Sequence, residues 1–255
     1  MKSIMIKNLE FSYKDKKIFS DFNISIQQNK FTVLLGNNGS GKTTLCKILD
    51  TMLPYNGYIT IEKEILSKKN LYFSRIMSII YDGEINLDTK SIIEIFLCNC
   101  YISKKELNQI IKTFSLEKIL QKRNYYMNKN EKQLLYILSS VVSDSSILIL
   151  DEPFSYLNKE QKQKILEYLK KTKKTVLLCT SNIEDTLYAD QIIVMDEGNK
   201  IIETEIEHLS NYEKKLKKIG FSLPFSIDLS KKLSYYNLLD GTMKNINEMV
   251  DNLWK

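Results

Sequence analysis

A glycine-rich stretch between an apolar run and a helical pattern constrains this chain more than any other feature. Residues 36–44 read GNNGSGKTT and fit the phosphate-binding pattern G-x-x-x-x-G-K-[ST]. The preceding run FTVLL predicts a buried strand, and residues 44–53 predict a helix whose N-terminal dipole faces bound phosphates. The alternative, a glycine-rich turn that binds nothing, does not explain why a strand and a helix flank the loop. We therefore expect a nucleotide to bind here.

The residues of this loop take defined roles in that prediction. Backbone N–H groups form an anion nest, Lys42 reaches the β- and γ-phosphates, and the Thr43 hydroxyl ligates Mg²⁺. The predicted nucleotide-binding residues are Gly36, Asn37, Asn38, Gly39, Ser40, Gly41, Lys42, Thr43 and Thr44.

A second pattern, ILILDE at residues 147–152, ends a short aliphatic run with two acidic residues. Such a run suits a central parallel strand buried on both faces, and active groups in such sheets lie beyond the carboxyl ends of the strands. Asp151 is then placed to hold Mg²⁺ through water, and Glu152 to orient or deprotonate an attacking water. The alternative is a pair of solvated acids at a strand end.

Composition argues against several other classes of protein. The chain has 255 residues and a net charge of +6, carried by dispersed lysines, which favours a solvated surface over a nucleic-acid site. No apolar run approaches the roughly 20 residues of a membrane-spanning helix, and the N-terminus reads as a strand rather than a signal peptide, so we expect a cytoplasmic chain. Four cysteines without a C-x-x-C pair and a single histidine, His208, predict no zinc site.

The order of predicted elements divides the chain into an α/β part and a shorter tail. We place an ATPase-like domain at residues 1–205, with an inserted helical subdomain at about 84–142, and a C-terminal extension at 206–255. Tyr13 ends the first predicted strand, where an aromatic ring either stacks on an adenine or packs in the core. Its position alone does not decide between these two roles.

This order of features resembles the ATP-binding-cassette (ABC) ATPases over residues 2–205, on the strand with Tyr13, the loop, the helical insertion and ILILDEP. The resemblance implies an α/β fold with a RecA-like P-loop core, an antiparallel β subdomain, an inserted helical subdomain and a small C-terminal helical extension. It also implies ATP and Mg²⁺ as ligands, Tyr13 as the adenine-stacking aromatic and Glu152 as the catalytic residue. Two such domains sandwich two ATP molecules in that family.

The tail narrows the resemblance further. KKLKKIGFSLPFSIDLSKKLSYYNLL, followed by VDNLW, is similar to the C-terminal extension of the A-component ATPases of energy-coupling-factor (ECF) importers. This implies three partners: a second ABC ATPase subunit, a transmembrane T-component and a substrate-binding S-component. It also implies a peripheral location on the cytoplasmic face of the cell membrane, import of a vitamin or trace metal, and a role for residues 206–255 in dimerisation.

Three positions depart from the pattern of those ATPases. Where the family has its LSGGQ signature, this chain has MNKNE at residues 127–131, so both glycines are replaced and Glu131 adds a negative charge near the partner's γ-phosphate. Asn128 keeps the ability to donate a hydrogen bond in place of the signature serine. Ser181 occupies the position where the family has its switch histidine, and Tyr81 occupies the position of the Q-loop glutamine.

These departures predict a chain that binds ATP but turns it over slowly alone, as the degenerate half of an ATPase heterodimer with a more intact partner. The alternatives are an ATP-binding scaffold without productive hydrolysis and the ATPase of an ABC exporter. We expect the surface that meets the membrane subunit at residues 81–95, with Tyr81, Asp82 and Glu84 near it. An exposed acidic turn is the alternative for these acids.

Overall fold

Two β-sheets form the centre of the molecule in the computed structural model, which describes residues 2–67, 72–81, 89–98, 101–122, 126–239, 241 and 243–253. The strands are β1 (Lys2–Tyr13), β2 (Lys16–Gln27), β3 (Phe31–Gly36), β4 (Asn56–Ile61), β5 (Glu64–Ile65), β6 (Met77–Ile80), β7 (Ile147–Asp151), β8 (Thr175–Thr180), β9 (Gln191–Asp196) and β10 (Asn199–Thr204). The antiparallel sheet has the order β2-β1-β4-β5, and the larger sheet has the order β10-β9-β3-β8-β7-β6.

Helices surround both sheets. They are α1 (Lys42–Leu49), α2 (Tyr72–Ile76), α3 (Thr89–Cys98), α4 (Lys104–Thr113), α5 (Glu117–Leu120), α6 (Lys129–Val141), α7 (Lys159–Lys171), α8 (Glu213–Lys218), α9 (Phe225–Tyr235) and α10 (Ile246–Leu253). Short 3-10 helices span Ile183–Tyr188 and Ile206–Tyr212. None of the helices in the described part of the chain has the length and apolar character that crossing a membrane requires.

The larger sheet is parallel except at one edge. Strands β6, β7, β8, β3 and β9 pair in parallel, and β10 pairs antiparallel with β9. Every residue of β3, β7 and β8 is buried. Alternate residues of β3 face two separate cores, since Val33 and Leu35 pack in one and Leu34 in the other. A strand covered on both faces is aliphatic throughout, which explains the runs FTVLL and ILIL.

The two cores fix the position of α1. One core joins the sheet to α3, α6 and α7, and the other joins the opposite face of the sheet to α1 and the antiparallel sheet. In the second core Leu45 and Ile48 of α1 lie with Phe19 and Ile26 of β2. Helix α1 is thus held between both sheets at the end that carries the phosphate loop.

Capping boxes set the starts of three helices. In each, an N-cap side chain accepts from a backbone N–H, and the side chain of the third helical residue accepts in return. Each of the three helices therefore begins at the residue that follows its cap. The N-cap residues are Ser103, Asn128 and Asn158.

The predicted end of one helix is wrong for a local reason. The helix predicted at residues 44–53 ends at Leu49, because Thr51 has a φ of 58° and Pro54 follows. Strand β6 begins at Met77, directly after Arg75 and Ile76 end α2.

The predicted fold class is confirmed. A parallel α/β core stands beside an antiparallel sheet, helices α3 to α6 are inserted between β6 and β7, and α8 to α10 end the chain. The domain boundaries drawn at residues 1–205 and 206–255 stay a prediction. Asp82 and Glu84, expected at a coupling surface, lie outside the described residues.

Candidate nucleotide-binding site

The carboxyl ends of β3 and β7 lie at one edge of the parallel sheet and carry the phosphate loop and the acidic pair. Strand β3 ends at Gly36, strand β7 ends at Asp151, and β8 lies between them. A cavity of about 300 Å³ opens at the loop. It is lined by Tyr13, Lys16, Ile18, Asn38, Gly39, Gly41, Lys42, Thr43, Thr44 and Glu152. Most of the predicted binding residues are therefore brought to one cavity.

The curled backbone of the loop depends on two glycines. Gly41 has a φ of 108°, in the left-handed region, and a Cβ there would lie 3.1 Å from the Phe19 ring. A Cβ at Gly36 would lie 2.4 Å from Ser40 Oγ and 2.8 Å from the Met195 carbonyl oxygen. A side chain at either position would push the loop open, so both glycines maintain the concave backbone that an anion nest requires.

Lys42 is the first residue of α1, and its ammonium group is held inside the loop. Lys42 Nζ donates to the carbonyl oxygens of Gly36 at 2.7 Å and Asn37 at 3.1 Å. It also lies 3.6 Å from Glu152 Oε1. Only 5% of the lysine is exposed. Phosphate oxygens form stronger charge-assisted hydrogen bonds with an ammonium than carbonyl oxygens do, so this arrangement fits an anionic ligand.

Glu152 is held in an unusual conformation at the end of β7. Its φ is 45°, and its backbone N–H donates to the Cys179 carbonyl oxygen at 2.9 Å. A non-glycine residue in the left-handed region is strained by about 1–3 kcal/mol, which is a feature of functional sites. Its Oε1 is buried and has no hydrogen-bond partner among the described residues. The contact of this oxygen with Lys42 Nζ is longer than a hydrogen bond, so the oxygen can still accept a hydrogen bond from a water molecule and orient it.

Asp151 and Thr43 supply the oxygen atoms that fit Mg²⁺. Asp151 is 2% exposed and lies beside Cys179 in the register of β7 and β8, and Thr43 is exposed on the cavity wall. Carboxylate and hydroxyl oxygens are hard ligands of the kind that Mg²⁺ prefers. Their roles as ligands stay a prediction.

Tyr13 lies on the wall of the cavity rather than in the core. It ends β1, is 41% exposed and packs edge-on against Phe11 with ring centroids 4.7 Å apart. One face of the ring is therefore available to a ligand in the cavity, and stacking on adenine remains a prediction for this residue.

The segment at the signature position begins α6. The Asn128 side chain caps the helix by accepting from the Glu131 N–H at 2.9 Å, so its oxygen is occupied. Lys122 Nζ lies 2.5 Å from one oxygen of Glu131 and 2.6 Å from the other. The negative charge expected from Glu131 is thus neutralised within the chain.

Asn130 replaces a signature glycine and ties two segments together. Its Nδ2 donates to the Tyr156 carbonyl oxygen at 2.8 Å and to Gln161 Oε1 at 2.7 Å, and Gln161 Nε2 donates back to its Oδ1 at 3.0 Å. Lys129 Nζ lies 5.5 Å from the centroid of the Tyr156 ring. These contacts hold α6 against the loop that follows β7, and no local sequence pattern predicts them.

Ser181, at the switch-histidine position, is exposed just beyond β8. The segment around it is anchored by Asp185, which is 1% exposed, pairs with Lys162 Nζ at 2.6 Å and accepts from Thr180 Oγ1 at 2.8 Å. Burial raises the pKa of Asp185 above its ordinary value, and Lys162 and Thr180 oppose that shift. The segment is therefore structurally intact, although its side chain at the critical position is a short hydroxyl.

Tyr81, at the Q-loop position, follows β6 and turns toward α1. Its hydroxyl donates to Asp50 Oδ2 at 3.0 Å. Burial, followed by the Asp50 charge, raises the pKa of Tyr81 well above its usual value. The phenol is thus a neutral donor bound within the chain.

Two contacts near the loop are not predicted by any of the sequence patterns. Asn37 Nδ2 donates to the Ile219 carbonyl oxygen at 2.6 Å, so the tip of the loop touches the end of α8. Cys46 Sγ lies 3.5 Å from Cys179 Sγ, beneath the loop. The hydrogen bond with Cys179 and burial hold the pKa of the Cys46 thiol well above its usual range.

Comparison with known proteins places the chain in a family. Residues 19–155 match the family model described as ABC transporter. The energy-coupling factor transporter ATP-binding protein EcfA of Onion yellows phytoplasma (strain OY-M) is 31% identical, over 98% of this chain and 96% of the relative. The energy-coupling factor transporter ATP-binding protein EcfA1 of Mycoplasmoides gallisepticum (strain R(low / passage 15 / clone 2)) is 28% identical, over 98% of this chain and 95% of the relative.

Solved structures agree at the level of the fold. The structure of cbiO1 from Clostridium perfringens, described as part of the ABC transporter complex cbiONQ, is 20% identical with a TM-score of 0.67, over 86% of this chain and 94% of that chain. Fold and loop together define the ATP-binding subunit of an ABC transporter. The chain belongs to the ABC transporter family and, within it, to the energy-coupling factor transporter ATP-binding proteins. The family predicted from the motifs is confirmed.

Proposed function

We propose that the chain is the weaker ATPase of a heterodimer that drives an ECF-type importer. One observation carries this proposal: Lys42, Asp151 and Glu152 are assembled at the loop, while the signature, switch and Q-loop positions carry side chains that differ from those of the family. Such a chain keeps the groups that bind nucleotide and lacks groups that speed its hydrolysis.

Binding follows from the loop. The N–H groups of residues 36–44 and the N-terminus of α1 face the phosphates, and Tyr13 stacks on the adenine. Thr43 and Asp151 hold Mg²⁺, which neutralises charge on the phosphates when it is bound. Lys42 exchanges its contacts with Gly36 and Asn37 for phosphate oxygens.

Glu152 carries the chemical step. Its Oε1 lies 3.6 Å from Lys42 Nζ, and this contact weakens when the lysine turns to a phosphate. The carboxylate is then free to accept a hydrogen bond from water and to hold it in line with the γ-phosphate. The strained backbone at Glu152 fixes where that carboxylate points.

The replaced groups explain why turnover alone is slow. Ser181 cannot reach as far as an imidazole, and Tyr81 offers a phenol bonded to Asp50 in place of an amide. Removing one oriented group at such a site commonly lowers the rate by about 10²–10³. A more intact second ATPase subunit supplies its own signature segment to this site across the dimer, so slow hydrolysis depends on Glu152 and on that segment.

The remaining assignments follow the family. Residues 1–205 form the ATPase domain with its helical subdomain at about 84–142, and residues 206–255 form an extension that serves dimerisation. A transmembrane T-component and a substrate-binding S-component complete the importer, which places the chain on the cytoplasmic face of the cell membrane. A vitamin or trace metal is the imported substrate.

A nucleotide-gated scaffold is the second candidate. The ion pair of Lys122 with Glu131 at the signature position favours it, because it neutralises the negative charge that would otherwise repel the ATP of the partner subunit. Glu152→Gln, made in the assembled transporter, separates the two. Hydrolysis at this site predicts loss of substrate uptake with retained ATP binding. Uptake equal to that of the matched surface variant Glu160→Gln would leave only the scaffold.

A further inference from the structure

Two thiols and a carboxylate converge beside the phosphate loop. Cys46 on α1 and Cys179 on β8 bring their sulfur atoms to 3.5 Å. One carboxylate oxygen of Asp151 completes a group whose ligand atoms all lie within 4.8 Å of one another. Both cysteines are fully buried and Asp151 is 2% exposed. The thiols have no part in the proposed ATPase reaction.

We propose that Cys46, Cys179 and Asp151 form a binding site for one thiophilic divalent cation of the zinc class. Thiolate sulfur and carboxylate oxygen are both accepted zinc ligands. Hard cations such as Mg²⁺ disfavour sulfur, so the thiols add affinity only for a softer ion. This proposal departs from the sequence-based prediction of no zinc site, because that prediction rests on local spacing and the two cysteines are 133 residues apart.

The observed distances are close to those that such an ion needs. With Zn–S bonds near 2.3 Å, a tetrahedral zinc separates two sulfur atoms by about 3.8 Å, and the sulfurs lie 3.5 Å apart. A sulfur and a carboxylate oxygen on the same zinc are separated by about 3.5 Å. Since the three ligand atoms already lie within 4.8 Å of one another, no distance between them needs to shorten by more than about 1.3 Å for the site to close. The fourth ligand position is left to water.

A disulfide fits these positions less well. It requires the sulfur atoms to approach to about 2.04 Å, well below the observed 3.5 Å. A disulfide would also involve only the two sulfur atoms, whereas a cation is bound by all three groups. On binding, the two thiols release two protons to solvent as two metal–sulfur bonds form.

Occupation has a defined consequence if Asp151 also holds Mg²⁺, which rests on the proposed function. A carboxylate drawn toward the two thiols is less available to Mg²⁺, so we expect a thiophilic cation to weaken Mg²⁺ binding at the nucleotide site. Excess of such an ion would then inhibit hydrolysis in the assembled ATPase. The binding itself does not depend on that role and is measured without nucleotide.

Cadmium titration of the full chain tests the site, because Cd²⁺ bound to thiolates absorbs in the near ultraviolet. The starting protein carries Cys98→Ala and Cys100→Ala, which remove the remaining cysteines, and is kept reduced with a phosphine. We expect one Cd²⁺ per chain with thiolate absorption, and competition by Zn²⁺. No uptake, or uptake without thiolate absorption, would overturn the proposal.

Single variants in this background assign the ligands. Loss of groups that merely orient a ligand already weakens metal binding by 10–100-fold, so Cys46→Ala or Cys179→Ala should weaken it by more than about 100-fold. Val176→Ala, a matched truncation on buried β8, should bind Cd²⁺ normally and melt at a temperature similar to that of the cysteine variants. Equal affinity in the cysteine variants and in Val176→Ala would overturn the site.

Asp151→Asn tests the third donor. We expect it to weaken Cd²⁺ binding while the thiolate absorption persists at saturation. Unchanged affinity would refute a role for the carboxylate. Failure of all these Cd²⁺ results with intact Mg²⁺-dependent ATP binding would leave the proposed function standing, so the two proposals fail separately.

Discussion

Asn130→Ala tests whether the replaced signature residue holds the fold together. The substitution removes three hydrogen bonds that join α6 to the Tyr156 carbonyl and to Gln161. A typical net value is about 0.5–1.5 kcal/mol for each such bond. Because Asn130 and Gln161 are only half-buried, water replaces part of what is lost. We expect the free energy of unfolding to fall by about 1.5–2.5 kcal/mol.

Urea unfolding of the full chain, followed by circular dichroism, measures this loss. Lys105→Ala is the matched control, since Lys105 occupies the same second position of capped helix α4 and is exposed. Its effect should stay within about 0.5 kcal/mol, as for other surface positions. The slope of the transition should be the same in both variants.

A double-mutant cycle isolates the amide pair. Asn130→Ala combined with Gln161→Ala should be less destabilising than the sum of the two single changes, with a coupling of about 1 kcal/mol. Strict additivity, or a loss at Asn130 no larger than that at Lys105, would refute the reasoning. The signature segment would then be held by the packing of α6 alone.

Two further predictions concern charged groups. Lys42→Ala should weaken ATP binding by about 10- to 150-fold, because it removes charge-assisted hydrogen bonds worth about 1.5–3 kcal/mol. Titration with a fluorescent ATP analogue measures this loss, and the control Lys47→Ala on the same helix should bind normally. Equal affinity of the two variants would contradict the prediction. Hydrogen bonds from Lys217 and Lys231 hold the pKa of Glu213 at about 2, so its contribution is present above about pH 4.3 and is lost as pH falls toward 2. Thermal unfolding should show that Glu213→Gln lowers the free energy of unfolding at pH 7 by less than about 1 kcal/mol, because the site is near the surface. This loss should disappear in acid. A loss that does not depend on pH would contradict the assignment.

Local sequence patterns predicted the elements that carry the nucleotide site. The loop at residues 36–44 and the acids at 151 and 152 follow buried aliphatic strands, and their placement at one sheet edge follows from parallel pairing alone. The sequence position of Tyr13 does not decide between packing in the core and stacking on a ligand. Its exposure on the cavity wall excludes the core alternative. These features depend on neighbours in the sequence or on a general rule of sheet topology.

Other features depend on pairs of residues far apart in the chain. Asn130 meets Gln161 across a loop, and the charge of Glu131 is neutralised by Lys122, so a charge counted from the sequence differs from the charge presented at the surface. Cys46 meets Cys179 only because α1 packs on β8. No periodicity or motif encodes such pairings, since they follow from the packing of whole elements.

The contact between Asn37 and Ile219 has a practical consequence for any shortened form of this protein. The tip of the phosphate loop is tethered to a carbonyl oxygen 182 residues later in the chain. A fragment that stops at residue 205 deletes the acceptor and frees the loop tip, so its nucleotide affinity describes a different loop. The C-terminal tail therefore supports the phosphate loop from outside the cavity, and a shift of Asn37 on nucleotide binding would change its contact with the residue that follows α8.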